Sequence, residues 1–273
     1  MDNAHITTPS FTHLHVHTQY SILDGMSAIP DLVEKCLRNG MHALAVTDHG
    51  TMYGIKEFFD YTDKKNGKVR DEIKAAEAEL AGLKAADPLD AEAVAACEAR
   101  IAAAKGKIFK PIFGCEVYVA RQTPTNPAGS RLVREHKENL GGNHLILLAK
   151  NEVGYHNLCK LVSSAWIDGF YRNPRIDHAL LEQYHEGLIV CSACLAGEVP
   201  SALGAGDYER AKAVVLWYKR LFGEDYYLEL QRHPTDKPGG DREVFEHQQP
   251  VNEGLLRLAA DTGTKFICTN DVH

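Results

Sequence analysis

Short apolar runs alternate with helix-like segments along most of the chain. Seven runs have the length and composition of buried strands: residues 11–16, 43–46, 111–119, 144–149, 187–191, 226–230 and 265–268. Helix start signals separate most of them, such as Ser27 ahead of Pro30 and Asp31, because proline and an acidic residue both suit a first helical turn. This alternation predicts an α/β domain on a parallel sheet, either open or closed into a barrel.

One segment interrupts the alternation. Residues 66–107 are rich in Ala, Glu and Lys, with apolar positions at helical spacing, and Asp87-Pro88-Leu89-Asp90 divides them. The pattern predicts a helical hairpin inserted into a single domain of residues 1–273, with Asp87 or Asp90 as the N-cap of the second arm. Its charges are mixed in sign, which weakens a role in direct DNA binding. A docking arm for a partner and a solvent-exposed decoration both remain open.

Residues that commonly bind metal ions stand at the ends of several runs: His15-Val16-His17, Thr47-Asp48-His49 and Asp271-Val272-His273, with Glu116 and Cys194 in similar positions. Residues two apart in a strand project from the same face, so His15 and His17 can reach one ion. The same holds for Asp271 and His273. A single pair of this kind is commonly structural, but three such strand ends favour a polynuclear metal site.

The distribution of these residues distinguishes the two sheet architectures. Ligands concentrate at the switch point of an open doubly wound sheet, whereas a barrel collects them from all strands at one mouth. Here they follow the first, second, fifth and seventh predicted strands, and Glu116 lies within the third, which favours the barrel. His144 fits less well because it begins its apolar run. Either that strand starts earlier, or His144 enters from a loop.

Several nearby residues allow more than one interpretation. Cys191 and Cys194 have the spacing of a redox pair, but Cys191 falls inside a predicted strand and is better interpreted as core. His13 is either a support for the metal ligands or a buried imidazole with satisfied hydrogen bonds. Asp48 points away from His49 and is interpreted as a supporting or structural carboxylate. Arg175 is a candidate for binding a substrate phosphate.

Charge and composition narrow the class of protein. The formal net charge of -7 and the pI near 6.0 argue against a generally basic nucleic-acid-binding surface, although a local cleft stays possible. The N-terminus lacks a signal-peptide pattern, and no apolar run approaches the ~18 residues of a membrane span. Seven scattered cysteines suit reduced thiols better than a disulfide framework. We therefore expect a cytoplasmic protein without membrane contact.

The motifs resemble the PHP (polymerase and histidinol phosphatase) domain family. The resemblance is carried by residues 13–25 (HLHVHTQYSILDG), 45–50 (AVTDHG), 110–118 (KPIFGCEVY) and 269–273 (TNDVH). Residues 154–158 (GYHNL), 169–175 (GFYRNPR) and 187–195 (GLIVCSACL) are similar to a narrower subgroup, the PHP domains at the N-terminus of the alpha subunit of bacterial DNA polymerase III. Together they cover nearly the whole chain except the helical insertion.

The resemblance implies a fold and a set of ligands. It implies a distorted seven-stranded (β/α) barrel, similar to a TIM barrel, that holds up to three divalent ions. The nine implied ligands are His15, His17, Asp24, His49, Glu116, His144, Cys194, Asp271 and His273. One ion takes His15, His17, Glu116 and Asp271; a second shares Glu116 and adds His144 and Cys194; a third takes Asp24, His49 and His273. Zn²⁺ suits the thiolate position and Mn²⁺, Fe or Mg²⁺ the oxygen-rich ones.

The resemblance also implies a function. Clustered divalent ions can activate water and neutralise charge on a phosphate group, so a metal-dependent phosphoesterase is expected. The expected activity is that of a 3′-5′ exonuclease, with Glu116, Asp271 and His273 as catalytic residues. The expected partners are the 3′ end of DNA, the remaining domains of a longer polymerase chain, and other replisome subunits. The chain stops directly after its last strand, which suggests a fragment. A metal-stabilised structural module and a free-standing histidinol-phosphatase-type enzyme are the alternatives.

Overall fold

The computed structural model describes residues 11–22, 24–88, 90–134, 141–235 and 242–273. Its elements, in chain order, are α1 (Ile29–Arg38), β1 (Ala43–Val46), α2 (Ile55–Ala85), α3 (Ala91–Lys105), β2 (Lys110–Val119), β3 (Asn143–Ala149), α4 (Glu152–Ile167), β4 (Arg175–Ile176), α5 (His178–Gln183), β5 (Leu188–Cys191), α6 (Glu198–Gly204), α7 (Tyr208–Phe222), β6 (Tyr226–Gln231), α8 (Glu243–Thr262) and β7 (Lys265–Thr269). Six of the seven predicted strands are present. Within the described part of the chain, no helix is long and apolar enough to cross a bilayer.

The strands form one mixed sheet. The strand order is β1-β2-β3-β5-β6-β7, and β4 pairs with β2. The pairs β2/β4, β5/β6 and β6/β7 are parallel, but β3 runs antiparallel to both β2 and β5. The prediction of a wholly parallel sheet is therefore wrong for β3. The described residues between β2 and β3, 120–134 and 141–142, contain no helix, whereas a parallel pair needs a long crossover connection that is usually helical.

The predicted first strand, residues 11–16, is wrong as a regular element because the backbone bends at His15. The segment nevertheless occupies a strand's position. On one side the Thr47 N–H donates to the Val16 carbonyl at 2.9 Å, and on the other the His17 N–H donates to the Val272 carbonyl at 2.7 Å. The segment thus joins the chain after β1 to the chain after β7 and closes the sheet. The predicted distorted (β/α)7 barrel is confirmed.

Residues 13–27, 45–54 and 112–273 form the barrel unit. Successive side chains of its strands point to opposite faces of the sheet, as the two-residue period of a strand requires. Leu145 and Leu147 of β3 belong to the large apolar core that also contains residues of α4 to α8. Ile146 and Leu148 belong to a smaller cluster with Ala45 and Cys191, on the opposite face of the strand. Ile146 of this interior cluster is the register partner of Glu116 in β2.

Residues 28–44 and 55–111 form a helical unit, described here by itself. Asp90 caps α3 by accepting the Ala93 N–H at 3.0 Å, which decides between the two predicted N-caps. The hairpin of α2 and α3 has a small core of its own, made of Ala76, Cys97 and Ile101 with neighbouring apolar side chains. The first arm begins at Ile55 rather than near residue 66, because the helix continues through the preceding amphipathic residues.

Candidate metal centre

Glu116 is the centre of the candidate site. It lies within β2 and is 0% exposed. Its carboxylate oxygens lie 2.5 Å from His49 Nδ1, 3.0 Å from His144 Nδ1 and 3.3 Å from His15 Nε2. The backbone brings His49 here, because the segment after β1 forms a bridge in which His49 pairs with Glu116 itself. Three imidazoles therefore converge on one buried carboxylate.

The position of His144 follows from the antiparallel direction of β3. His144 pairs with Tyr118, so the start of β3 lies beside the C-terminal end of β2. The strand also begins one residue earlier than predicted, at Asn143. Cys194 follows β5, and its Sγ lies 3.6 Å from His144 Nδ1. Reversal of β3 therefore brings a residue from the beginning of a strand to the mouth where the other strands end.

His15, His17 and Asp271 form a second group. The two Nε2 atoms lie 3.2 Å apart, and Asp271 Oδ1 lies 3.0 Å from His15 Nε2 and 3.4 Å from His17 Nε2. His17 is also 3.8 Å from Glu116 Oε2. Asp271 has a φ of +46°, a left-handed conformation that Asp tolerates better than most residues and that aims its carboxylate inward.

Asp24, His49 and His273 lie on the open side of the cluster. Asp24 Oδ2 is 3.1 Å from His49 Nε2 and 3.8 Å from His273 Nε2. The His273 ring stacks on His17 with centroids 4.3 Å apart. Their side chains are 49%, 18% and 35% exposed for Asp24, His49 and His273, whereas those of His15, His17 and Glu116 are at most 1% exposed. Asp24 and His273 are therefore the most exposed of these side chains.

The structure brings all nine implied ligands into one continuous cluster. Three sets of potential ligand atoms lie within 4.8 Å of one another: His15, His17 and Asp271; His49, Glu116 and His144; His17, His49 and His273. The first set contains three of the four ligands that the resemblance assigns to one ion, and Glu116, the fourth, lies 3.3 Å from His15 and 3.8 Å from His17. The position of His49 differs from the implied grouping, because its Nδ1 faces Glu116 and its Nε2 faces Asp24. It therefore belongs to two groups rather than one.

Contacts within the cluster shift the pKa values of its members. Burial opposes ionisation of Glu116, but contacts with His144, His15 and His49 outweigh it and hold the pKa of Glu116 well below its ordinary value. Burial likewise opposes protonation of His15, yet the charge of Glu229 and contacts with Asp271 and Glu116 raise the pKa of His15 well above its ordinary value. Without bound cations, this arrangement stabilises ionised Glu116 together with protonated His15, whereas burial lowers the pKa of His17.

The donor chemistry fits divalent metal ions. Among the described residues, both Glu116 oxygens, Asp271 Oδ1 and His49 Nδ1 are buried without a well-formed hydrogen bond. Buried polar atoms in native proteins rarely lack partners, and exceptions commonly mark ion sites. Imidazole, carboxylate and thiolate groups are also the ligands that transition metals prefer. The residues present therefore suit the ions that the resemblance implies.

Asp48 has a structural role around the site. Its carboxylate accepts the Thr18 N–H at 2.6 Å and the Ser21 hydroxyl at 2.9 Å. The Ser21 oxygen lies 2.9 Å from His17 Nδ1. Asp48 thus supports His17 through Ser21, in agreement with the predicted supporting carboxylate.

The prediction that Arg175 binds substrate is wrong. Arg175 is 0% exposed and donates to the carbonyl oxygens of Gly169, Arg131 and Val133 at 3.2, 2.9 and 3.1 Å. A guanidinium committed to backbone carbonyls inside the fold is unavailable to an incoming phosphate. Cys191 is 1% exposed within the interior cluster, as predicted for a core residue.

Sequence reasoning missed Glu229, the carboxylate nearest His15. Glu229 Oε1 lies 2.6 Å from His15 Nδ1, and Glu229 is 2% exposed. A signal was present, because Glu229 and Gln231 interrupt the apolar strand β6 at alternate positions, as His15 and His17 do in their own segment.

Comparison with known proteins identifies the family. Residues 13–233 match the PHP domain. The chain is 37% identical over 265 residues to DNA polymerase III subunit alpha of Borreliella burgdorferi and 35% identical over 273 residues to that of Campylobacter jejuni. Each match covers 96% of this chain but 18% of the relative.

The chain also aligns with a solved structure from Bifidobacterium adolescentis, whose protein is described as a suggested metal-dependent phosphoesterase. The TM-score is 0.48 and the sequence identity 12%, and the alignment covers 97% of this chain and 88% of that one. The match to the family, by contrast, extends over most of the barrel unit and includes seven of the nine clustered side chains. The chain belongs to the PHP domain family.

Proposed function

We propose that this chain is the N-terminal PHP domain of a bacterial replicative DNA polymerase and hydrolyses phosphodiester bonds at the 3′ end of DNA with two or three bound divalent ions. The observation that carries the proposal is the cluster of ligand-capable side chains around Glu116, whose two buried oxygens lack well-formed hydrogen bonds although four histidines lie within 3.8 Å of them. The clustered ions would supply an activated water and neutralise charge on the phosphate group.

The donor set differs across the cluster. Cys194 beside His144 offers thiolate and imidazole, which suit Zn²⁺. Asp24 and Asp271 bring carboxylate oxygens to the histidines around them, and such positions also accept Mn²⁺, Fe or Mg²⁺. We propose Zn²⁺ for the first position and leave the others to this wider group of ions.

The residues have different roles according to burial. Glu116, His15 and His17 are fully buried and would hold ions beneath the surface. His273 is partly exposed at the open side, where it would hold an ion together with Asp24 close to an incoming phosphate. Asp271 is intermediate in burial, with its side chain 15% exposed, and it contacts both His15 and His17. We assign catalytic roles to Glu116, Asp271 and His273.

The identity to polymerase alpha subunits supports a polymerase parent. The chain spans 18% of the length of those relatives, so nucleotidyl transfer would belong to other domains of the same chain. Those domains, the DNA 3′ end and other replisome subunits are the partners we propose, in the cytoplasm. Removal of misincorporated nucleotides for the attached polymerase is then the natural task of the exonuclease.

A structural module is the second candidate. The segment 13–17 closes the barrel and also carries His15 and His17, so ions bound there would stabilise the closure itself. In that case metal binding would persist without hydrolysis. The two functions differ in what a ligand substitution changes: activity in the first case, stability in the second.

Asp271→Asn separates the two functions, because asparagine keeps the volume of aspartate and loses the charge. For the enzyme we expect degradation of 3′-labelled single-stranded DNA to fall at least ~100-fold, with little change in melting temperature. Asp168→Asn, on an exposed helix C-cap, is the matched control and should behave as wild type. No hydrolysis in either protein, with a clear loss of stability in Asp271→Asn, would favour the structural module.

A further inference from the structure

Two polar side chains lie together on the interior face of β6. Glu229 and Gln231 are two residues apart and 2% and 4% exposed. Gln231 Nε2 donates to Glu229 Oε1 at 3.0 Å, and the Thr269 hydroxyl of the adjacent strand β7 donates to the same oxygen. Burying a carboxylate is costly unless it is hydrogen-bonded, so β6 and β7 hold Glu229 in one defined place.

The two ring nitrogens of His15 face different surroundings. Nε2 points into the cluster, 3.0 Å from Asp271 and 3.3 Å from Glu116. Nδ1 points away from these atoms and lies 2.6 Å from Glu229. An ionised carboxylate can only accept hydrogen bonds, so Nδ1 must carry the proton in this contact. The lone pair of a neutral His15 is then on Nε2, the nitrogen that faces the other ligands.

We propose that Glu229 is a positioning residue for the metal centre, which fixes the tautomer and ring orientation of His15 so that Nε2 is presented to an ion. Glu229 Oε1 is occupied by His15 Nδ1, Gln231 and Thr269, so Glu229 would act on a bound ion through the imidazole. A metal-bound histidine whose other nitrogen donates to a carboxylate is a better and more rigid ligand. The inference rests on the proposed metal binding and names a residue that this binding requires.

His17 is held in the same tautomer by a different route. The Ser21 hydroxyl donates to Asp48 Oδ1 at 2.9 Å, so its oxygen is left to accept from His17 Nδ1. His17 therefore also presents Nε2, 3.2 Å from His15 Nε2. Two separate buried carboxylates thus direct the two histidines toward one place, which makes an accidental orientation of His15 a poor explanation.

The test uses Zn²⁺ affinity, measured by competition with a chromophoric chelator. We expect Glu229→Ala to weaken the affinity about 100-fold and Glu229→Gln, which keeps an acceptor oxygen, about 10-fold, the range typical of residues that orient metal ligands. Glu198→Gln is the matched control. Glu198 is also a buried glutamate hydrogen-bonded to a histidine, His178 at 3.1 Å, but none of its hydrogen bonds reaches the cluster. The Zn²⁺ affinity of the Glu198→Gln protein should stay within about threefold of that of the wild type.

Nitrogen-15 NMR of the imidazoles provides a readout that a merely structural role would not change. The Zn²⁺-bound wild type should show His15 with its proton on Nδ1 in a strong hydrogen bond, and Glu229→Ala should lose that signal while Glu198→Gln keeps it. Unchanged affinity in a folded Glu229 variant, or a His15 proton on Nε2 in the wild type, would overturn the inference. Failure of the wild type to bind Zn²⁺ would overturn it together with the proposed function. Tight Zn²⁺ binding without DNA hydrolysis would count against the exonuclease alone.

Discussion

Glu116→Gln is expected to destabilise the metal-free protein and to abolish the shared part of the metal centre. Glutamine keeps the volume of glutamate, so the packing around β2 should survive. The charge that faces His15, His49 and His144 at 3.3, 2.5 and 3.0 Å is lost. His15 keeps Glu229 and Asp271 as counter-charges and His49 keeps Asp24, whereas His144 loses the carboxylate that pairs with it.

The magnitude follows from the burial of Glu116, which is 0% exposed. Removing one partner of a buried ion pair typically costs about 3–5 kcal/mol, because an uncompensated charge is left behind. The lower value of about 3 kcal/mol is appropriate, because other carboxylates still face His15 and His49 and the glutamine oxygen can accept one hydrogen bond. For a chain of this size that corresponds to a fall in melting temperature of about 6–12 °C.

The assay is thermal unfolding of the metal-free variant near pH 6, with metal content measured after reconstitution. Glu198→Gln again serves as the control, because it removes the charge of another buried glutamate that contacts only one histidine. A melting temperature within about 2 °C of wild type, together with full metal content, would refute the role of Glu116 as the centre of the cluster.

Two further predictions concern the helical unit and the pH dependence. Deleting residues 68–107 and joining the ends by a short turn should preserve cooperative unfolding and metal content, because the hairpin has its own small core. A deletion that also removes Asn66 should lower the free energy of unfolding by about 1–3 kcal/mol more. The reason is that the buried Asn66 amide forms hydrogen bonds with both the N–H and the carbonyl of Phe109, each at 2.8 Å. Calorimetry on both deletions measures the difference, and equal stability would contradict it. The pKa values of His15 and His49 are raised by neighbouring carboxylates in spite of burial, so their contribution is complete below about pH 6.5 and is lost at higher pH. The melting temperature of the metal-free protein should therefore fall between about pH 6 and pH 9. Metal affinity should rise over the same interval, because ions replace protons on the ligands. A melting temperature of the metal-free protein that rises with pH would contradict the raised pKa values of His15 and His49.

The fold was predictable where local pattern determines it. Strands such as β3 and β6 have enough consecutive apolar residues to identify them from sequence. β4 was missed because it has only two residues, Arg175 and Ile176, which depend on pairing with β2. The direction of β3 was also missed, since strand direction depends on the connection between elements and not on the residues of the strand.

The candidate site was predictable in its members but not in its surroundings. Histidine and carboxylate residues at strand ends have few common alternatives, so their type and spacing were informative. Arg175 was interpreted wrongly because its partners, the carbonyl oxygens of Arg131 and Val133, lie more than forty residues away. Glu229 was missed for the same reason: its contact with His15 spans 214 residues and exists only once the barrel has closed.

The number of ions bound per chain tests the central claim most directly. The purified protein should be reconstituted with Zn²⁺ or Mn²⁺, freed of loosely bound metal, and analysed by inductively coupled plasma mass spectrometry against protein concentration. The clustered geometry of His15, His17, Glu116 and Asp271, with His49, His144 and Cys194 beside them, predicts two or three tightly bound ions. Fewer than two ions per folded chain would contradict a polynuclear metal centre.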